Sequence, residues 1–97
     1  MECAISVRVE LLGTLRKALN TEYLNLRVPC GIRVRELFIT LRKEKPQLAD
    51  AINAEGSLLP TYLLFINGVD AELVGGQEYR LKDGDVLTLI PITHGGN

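Results

Sequence analysis

The residues with the most distinctive chemistry stand at the end of the 97-residue sequence, which reads His94-Gly95-Gly96-Asn97. Glycine has no Cβ and reaches all of φ/ψ space, so a Gly-Gly pair can thread a channel that is too narrow for side chains. Such a pair can place a carboxylate beside a nucleotide that is bound in another protein. A glycine pair near a terminus is also common in frayed ends. The context favours a working tail, because it leaves directly from a predicted strand and Pro91 stiffens its base.

The residue types disfavour catalysis by this chain's own side chains. His94 is the only histidine and stands beside glycines, which cannot hold it in place for a catalytic triad. Zinc needs about four ligands at short spacings, and His94 with Cys3 and Cys30 does not supply them. The Gly75-Gly76 pair lacks the lysine and the helix start of a phosphate-binding loop. We expect no metal and no bound cofactor, and we expect the chain's groups to serve another enzyme.

Composition predicts one domain, since 97 residues with 46% apolar and 24% charged content match ordinary globular chains and leave no room for a second core. The net charge is −1 and the charges are scattered, which disfavours direct nucleic-acid binding. The N-terminus carries Glu2 where a secretory signal would carry lysines, and no apolar run approaches the ~18 residues of a membrane span. We therefore expect a cytoplasmic monomer that does not contact membranes.

Period-two alternation predicts two strands near the N-terminus, whose apolar members are Ile5, Val7, Val9 and Leu11 in the first and Leu24, Leu26 and Val28 in the second. The apolar residues are odd-numbered in the first strand and even-numbered in the second. If the strands pair antiparallel with both sets on one buried face, the numbers of two facing residues must therefore add to an odd number. A sum near 33 places the connector midway between the two strands. That register places Cys3 opposite Cys30, where a disulfide is geometrically possible if the Cα atoms come within ~7 Å. Two buried, reduced thiols are nevertheless the favoured interpretation, because cytosolic thiols are normally kept reduced, and the disulfide is the alternative.

An amphipathic helix and three further strands complete the predicted fold. The helix buries residues at i, i+3, i+4 and i+7, which are Val34, Leu37, Phe38 and Leu41. It ends before Pro46, and its start lacks a good cap, so its first turn is expected to fray. Strands are predicted at TYLLFI, at VDAELV and after Asp83-Gly84-Asp85, and Asn67-Gly68 is a strong hairpin signal. This order predicts an α+β fold, with a mixed five-stranded sheet on one main helix and strands one and five parallel in its centre.

A family resemblance covers nearly the whole chain. The stretch LLFINGVDAELVGGQEYRLKDGDVLTLIPITHGG, with IRVRELFITLRKEKPQL before it, resembles the ubiquitin-related modifier family of sulfur carriers, which have the ubiquitin-like β-grasp fold. The most specific segments are 70–73, 79–85 and 93–96. The resemblance implies a β-grasp domain over residues 1–92 and a flexible Gly-Gly tail over 93–97. The molybdopterin synthase small subunit and the thiamin-pathway sulfur carrier share the fold and the Gly-Gly end.

The resemblance implies that the chain is the substrate of an ATP-dependent activating enzyme and is no enzyme itself. The Gly96 carboxylate would be adenylated and then converted to a thiocarboxylate with sulfur from a persulfide, while Gly95 and His94 thread the enzyme's channel. A tRNA-thiolating enzyme would pass the sulfur to a wobble uridine, and Gly96 could also form isopeptide bonds with lysines of target proteins. A molybdopterin synthase subunit, or a β-grasp interaction module with a passive tail, are the alternatives.

Asn97 departs from the family pattern, in which the second glycine is the last residue. It blocks the carboxylate that the chemistry needs. Either a protease removes Asn97, or the chain as given is inactive.

The activating enzyme must also contact the folded domain, and apolar residues that strand alternation leaves outside are the candidates. Phe65 is exposed if Leu64 and Ile66 face the helix. Together with three other residues it would form a patch near the tail: Leu12, Ile90 and Ile92. For Leu12 and Ile92, burial in the core is an equal alternative.

Overall fold

A computed structural model describes residues 2–92, and these form a five-stranded mixed sheet wrapped over one main helix. The strands are β1 (Ala4–Leu11), β2 (Tyr23–Pro29), β3 (Tyr62–Ile66), β4 (Val69–Asp70) and β5 (Val86–Pro91). The α-helices are α1 (Thr14–Leu19) and α2 (Val34–Glu44), with 3₁₀ turns at Pro46–Asp50, Ala71–Leu73 and Gly76–Glu78. The α+β class and the mixed sheet on one main helix are confirmed.

The strand order is β2-β1-β5-β3-β4, with β1 and β5 parallel in the centre, as the sequence predicts. The β1–β2 register is also confirmed, because Ile5 faces Val28 and Val7 faces Leu26. The same register extends to the open end, where the Cys30 amide donates to the Cys3 carbonyl at 3.1 Å. The two cysteine Cα atoms are 5.4 Å apart and the sulfurs form a disulfide. Both cysteines are exposed and bonded to each other, so the favoured interpretation of two buried, reduced thiols is wrong.

The core lies between the inward face of the sheet and α2. The four α2 residues predicted to face inward are all buried: Val34, Leu37, Phe38 and Leu41. They pack against the inward residues of the central strands, among them Val9, Leu87 and Leu89. No helix within residues 2–92 has the length and apolar character needed to cross a bilayer.

The first turn of α2 is better held than its sequence suggests. The Glu36 carboxylate accepts a hydrogen bond of 2.9 Å from the Arg33 amide, and the Val34 amide donates to the Tyr79 carbonyl at 3.0 Å. The first bond is the glutamate half of a capping box, and the second comes from a distant segment. The prediction of a fraying first turn is therefore wrong, because the helix start finds partners that a search for a capping side chain misses.

The predicted fourth strand is shorter than VDAELV. Only Val69 and Asp70 pair with β3, across a turn in which Asn67 has φ 52° and Gly68 has φ 80°. The Asp70 carboxylate then accepts a hydrogen bond of 2.9 Å from the Glu72 amide, which starts the 3₁₀ turn. Aspartate side chains commonly compete in this way with a strand ladder for backbone donors. The sequence Ala71–Leu73 therefore leaves the sheet.

Candidate functional site

The tail leaves the domain at the end of β5, a central strand. Tyr62 of β3 pairs with Pro91, and beyond it the Ile92 amide donates to the Thr61 carbonyl at 2.8 Å. The sheet therefore holds the chain through residue 92, which is the last residue of the predicted domain. The predicted tail residues His94, Gly95 and Gly96 lie outside the described residues.

Gly13 packs directly against Pro91 at the base of the tail. A Cβ placed on Gly13 would lie 2.8 Å from the Pro91 Cγ, closer than carbon atoms approach each other, and Gly13 has φ +67°. Positive φ is costly for residues with a side chain, so both the backbone conformation and the space require glycine. Beside it, the hydroxyls of Thr14 and Tyr62 lie 3.4 Å apart. The start of α1 thus braces the point where the tail begins.

The predicted apolar residues come together on the outer face of the sheet, around the C-terminal end of β5. We call this surface the exit patch, and its five residues are Leu12, Leu63, Phe65, Ile90 and Ile92. Ile90 lies opposite Leu63, while Phe65 is two residues along β3 on the same face. Leu12 continues the register in which Leu11 faces Leu89.

Exposure differs within the exit patch. Ile92 is 41% exposed and Leu63 is 40% exposed, whereas Leu12, Phe65 and Ile90 are half-buried. The alternation predicted for β3 is confirmed, since Leu64 and Ile66 are buried. Sequence reasoning missed Leu63, although the alternation that exposes Phe65 also exposes the residue two positions before it. Neither Leu12 nor Ile92 is a fully buried core residue.

Carboxylates border the exit patch. Asp70 lies opposite Phe65 in the β3–β4 pair, and the Thr88 hydroxyl donates a long hydrogen bond of 3.4 Å to the Glu10 carboxylate. A small groove of about 90 Å³ next to Leu63 is lined by Asp70 and Glu72 as well. An apolar surface with an acidic rim is complementary to a partner that presents apolar anchors surrounded by cationic side chains.

The other end of β5 holds a buried carboxylate, Asp85, which is 6% exposed. It accepts hydrogen bonds from the Asn67 side-chain amide at 2.9 Å, the Tyr79 hydroxyl at 3.0 Å and the Lys82 backbone amide at 2.8 Å. Burial raises the pKa of the Tyr79 hydroxyl above its ordinary value, and the hydrogen bond to Asp85 raises this pKa further. No buried side-chain nitrogen or oxygen within the described residues lacks a hydrogen-bond partner, and this network joins the segment 79–85 to the β3–β4 turn.

Metal-binding geometry is not found in the part of the chain that the structure describes, because no three histidine, cysteine or acidic side chains converge there. The described residues at this end of β5 present an exposed apolar surface that includes Ile92.

Comparison with known proteins identifies close relatives. The sequence model of the ThiS family matches residues 9–96. Ubiquitin-related modifier 1 of Schizosaccharomyces pombe is 30% identical over 100 residues, which cover 95% of this chain and 100% of that protein. The solution structure of small archaeal modifier protein 1 from Methanosarcina acetivorans has a TM-score of 0.78 and 29% identity, covering 97% of this chain and 99% of that one.

A third relative was solved as part of a complex. One chain of the Amycolatopsis orientalis BexX/CysO complex has a TM-score of 0.69 and 27% identity, covering 93% of this chain and 99% of that one. Together with the sheet order and the single main helix, these likenesses identify the fold as the ubiquitin-like β-grasp.

Proposed function

Because the chain belongs to the ThiS family of ubiquitin-like sulfur carriers, we propose that it carries sulfur on the carboxyl group of Gly96. One observation carries this proposal: the family match runs to residue 96 and so includes the Gly-Gly pair. The brace at Gly13 and Pro91 and the bond from Ile92 to Thr61 support it, since they fix the point from which the tail extends. The family carries sulfur and does not itself catalyse the reaction.

The proposed chemistry begins with activation of the carboxylate by ATP. A free carboxylate is a poor electrophile, so attack of its oxygen on the α-phosphate yields an acyl adenylate and releases pyrophosphate. A persulfide sulfur then attacks the acyl carbon and AMP leaves. A thiol cleaves the resulting acyl disulfide, which frees the thiocarboxylate and leaves the donor and the thiol joined as a disulfide. The activating enzyme binds the ATP, and this chain needs no cofactor of its own.

Asn97 bears directly on this chemistry, because it holds the Gly96 carboxyl group in a peptide bond. A protease that cleaves after Gly96 would supply the free carboxylate. Glycine at positions 95 and 96 suits both that protease and the activating enzyme, since a chain without side chains fits a narrow channel.

The exit patch is the proposed docking surface for the activating enzyme. It includes Ile92, the residue before the tail, so an enzyme that binds Leu63, Phe65 and Ile92 holds the tail within reach of its own nucleotide site. A few well-packed residues near the centre of an interface carry most of the binding energy, and the rim contributes less. The neighbour solved in a two-protein complex supports a partner protein in general.

Downstream, we propose that the thiocarboxylate supplies sulfur to a cytoplasmic tRNA-thiolating enzyme for the wobble uridine of certain tRNAs. The Gly96 acyl group would also form isopeptide bonds with lysines of target proteins. The relatives that are named ubiquitin-related modifiers support conjugation to proteins, and sulfur transfer would use the same Gly96 acyl group.

The test is the intact mass of the protein after incubation with a cognate activating enzyme, ATP and a persulfide donor. A chain that ends at Gly96 is expected to gain ~16 Da, since sulfur replaces one oxygen of the activated acyl group. The matched control is the chain that ends at Asn97, which should gain nothing. If the chain ending at Gly96 also gains nothing, while an authentic carrier of the same enzyme is converted, the proposal is wrong.

A further inference from the structure

The strand β2 presents a free backbone edge, because it is the outermost long strand in the order β2-β1-β5-β3-β4. In the β1–β2 ladder the Leu11 amide donates to the Glu22 carbonyl, and the Cys30 amide donates to the Cys3 carbonyl. Antiparallel ladders alternate, so the even-numbered residues of β2 bond to β1 and the odd-numbered ones point their backbone groups away. The outward-pointing residues that retain an N–H are Tyr23, Asn25 and Arg27.

The free edge has a defined length. Pro29 occupies the next outward position and has no N–H to donate, which ends the edge at Arg27. At the other end, the Tyr23 carbonyl accepts a hydrogen bond of 3.0 Å from the Thr21 hydroxyl. The ladder alternation turns the amides and carbonyls of Asn25 and Arg27 away from β1, and none of the turn, loop or side-chain hydrogen bonds within residues 2–92 reaches them. The opposite edge of the sheet, β4, has only two residues.

Two arginines lie along this edge on the outer face of the sheet. The Arg8 Nε donates to the Asn25 side-chain oxygen at 3.1 Å, and an Arg27 Nη donates to the Ser6 hydroxyl at 3.1 Å. Neither guanidinium takes part in an ion pair with any residue from 2 to 92. Both line an open groove of about 450 Å³ that Asn25 and Val86 also line. The acid that lines this groove is Asp85, which is buried and accepts three hydrogen bonds from other groups. Asp83 accepts a hydrogen bond of 2.8 Å from the Ser6 amide.

The inner side of the edge is apolar. Leu24 and Leu26 point towards the core but are only partly buried, whereas Val28 is buried. A strand added next to β2 would cover the first two. Its side chains would alternate, because successive residues of a strand point to opposite faces.

We propose that the β2 edge binds an extended acidic segment of another protein as a sixth strand of the sheet. Backbone bonds to Asn25 and Arg27 supply the pairing. Acidic side chains on the outer face meet Arg8 and Arg27, and the alternate apolar side chains pack beside the partly buried leucines. Addition of a strand to an exposed edge is a general mode of peptide recognition. The site lies two strands away from β5 and does not depend on Gly96.

A second copy of the chain fits this edge less well. Two β2 strands paired about Asn25 would join two sheets with four arginine side chains, Arg8 and Arg27 of each copy, on one continuous face. In that register Arg27 of each copy lies opposite Tyr23 of the other, so β2 supplies no carboxylate to these cations, and the four like charges on one face repel one another. An acidic segment turns the same arginines into favourable partners, and this complementarity selects it.

The backbone test uses a fluorescein-labelled heptapeptide of alternating valine and glutamate, with binding measured by fluorescence anisotropy. The Asn25→Pro variant loses the outward N–H but keeps the β1 ladder, since that amide points away from β1. The matched control Asn25→Ala loses the same side-chain bond to Arg8 and keeps the N–H. We expect Asn25→Pro to weaken binding at least about tenfold and Asn25→Ala to weaken it less than about threefold. Equal affinities for the two variants would overturn the proposal.

A charge test stays informative if Asn25→Pro fails to fold. Arg27→Glu should lower the affinity for the valine–glutamate peptide by about tenfold. The same variant should bind the corresponding valine–lysine peptide more tightly than the unmodified protein does. Lys17→Glu makes the same charge change on the exposed surface of α1 and should alter neither affinity by more than about twofold. Equal responses to both substitutions would show that only the net charge of the protein affects the affinity, and would overturn the proposal. Self-association that Asn25→Pro abolishes would assign the edge to a second copy and overturn it as well.

Discussion

The two ends of β5 differ in what their side chains contact. At the Val86 end, the buried carboxylate of Asp85 accepts three hydrogen bonds and joins segments that are distant in sequence. At the Ile92 end, Leu63 and Ile92 are about two-fifths exposed and form an apolar surface beside the tail. One end thus stabilises the fold, and the other leaves surface for a partner. Substitutions at the two ends should therefore separate stability from activation.

The largest effect is expected at the bonded end. Asp85→Ala removes the acceptor for the Asn67, Tyr79 and Lys82 donors, and should lower the free energy of unfolding by about 3–5 kcal/mol. Urea denaturation measures this loss. The matched control is Asp83→Ala, an exposed carboxylate with one hydrogen bond to the Ser6 amide, for which about 1 kcal/mol or less is expected. Equal losses in the two variants would contradict the role given to Asp85.

The exit patch should respond in the opposite manner. Leu63→Arg places a charge in the proposed interface and should lower kcat/KM of the activating enzyme for this chain about tenfold to a hundredfold. The free energy of unfolding should change little, because Leu63 is already 40% exposed. Leu73→Arg is the control, since Leu73 is 79% exposed and lies outside the exit patch. A similar loss of kcat/KM with both variants would show that the exit patch is not the docking surface.

Gly13→Ala tests the brace at the base of the tail. It should cost about 2 kcal/mol of unfolding free energy, from the positive φ and from the contact with Pro91. Gly31→Ala has a similar φ of +75° with nothing within 4 Å of the added Cβ, so it reports the backbone cost alone at about 1 kcal/mol. The difference between the two losses of unfolding free energy measures the contact of residue 13 with Pro91. The amide chemical shifts of Ile92 should change only in Gly13→Ala. Equal costs and unchanged shifts would mean that Gly13 does not brace Pro91.

The smallest effect concerns pH. Because burial and the Asp85 hydrogen bond raise the pKa of Tyr79 in the folded protein, the unfolded chain loses this proton first, near the ordinary value of 10.0. The stability contribution of this shift is complete below that pH and is lost as pH rises through the folded value. The stability advantage of the unmodified protein over Tyr79→Phe should therefore shrink above about pH 10. Urea denaturation at each pH measures this advantage, and an advantage that stays constant between pH 8 and 11 would contradict the raised pKa of Tyr79.

Local patterns in the sequence predicted most of the fold. The β1–β2 register followed from the rule that the numbers of facing residues add to an odd number. The alternation in β3 separated Phe65 from its buried neighbours. The errors arose where a partner came from elsewhere in the chain or from a short-range side-chain bond. Asp70 shortens β4 through its bond to the Glu72 amide, and the Tyr79 carbonyl holds the first turn of α2.

The candidate site was predicted less completely. The contact of Gly13 with Pro91 joins residues 78 positions apart, so no local pattern indicates it. Leu63 is a different kind of omission, since its alternation with buried neighbours was present in the sequence and only its membership in the patch was overlooked. The network around Asp85 also escaped prediction, because the sequence marks Asp83 and Asp85 equally as turn residues and only the fold buries one of them.

The central claim is that Gly96 becomes a free carboxyl group and carries sulfur. Mass spectrometry of the intact protein isolated from its own cells tests this most directly, because one spectrum reports the last residue and the group attached to it. We expect a population that ends at Gly96, part of it ~16 Da heavier because sulfur has replaced an oxygen of the acyl group. A protein in which Asn97 always remains attached to Gly96 would contradict the claim.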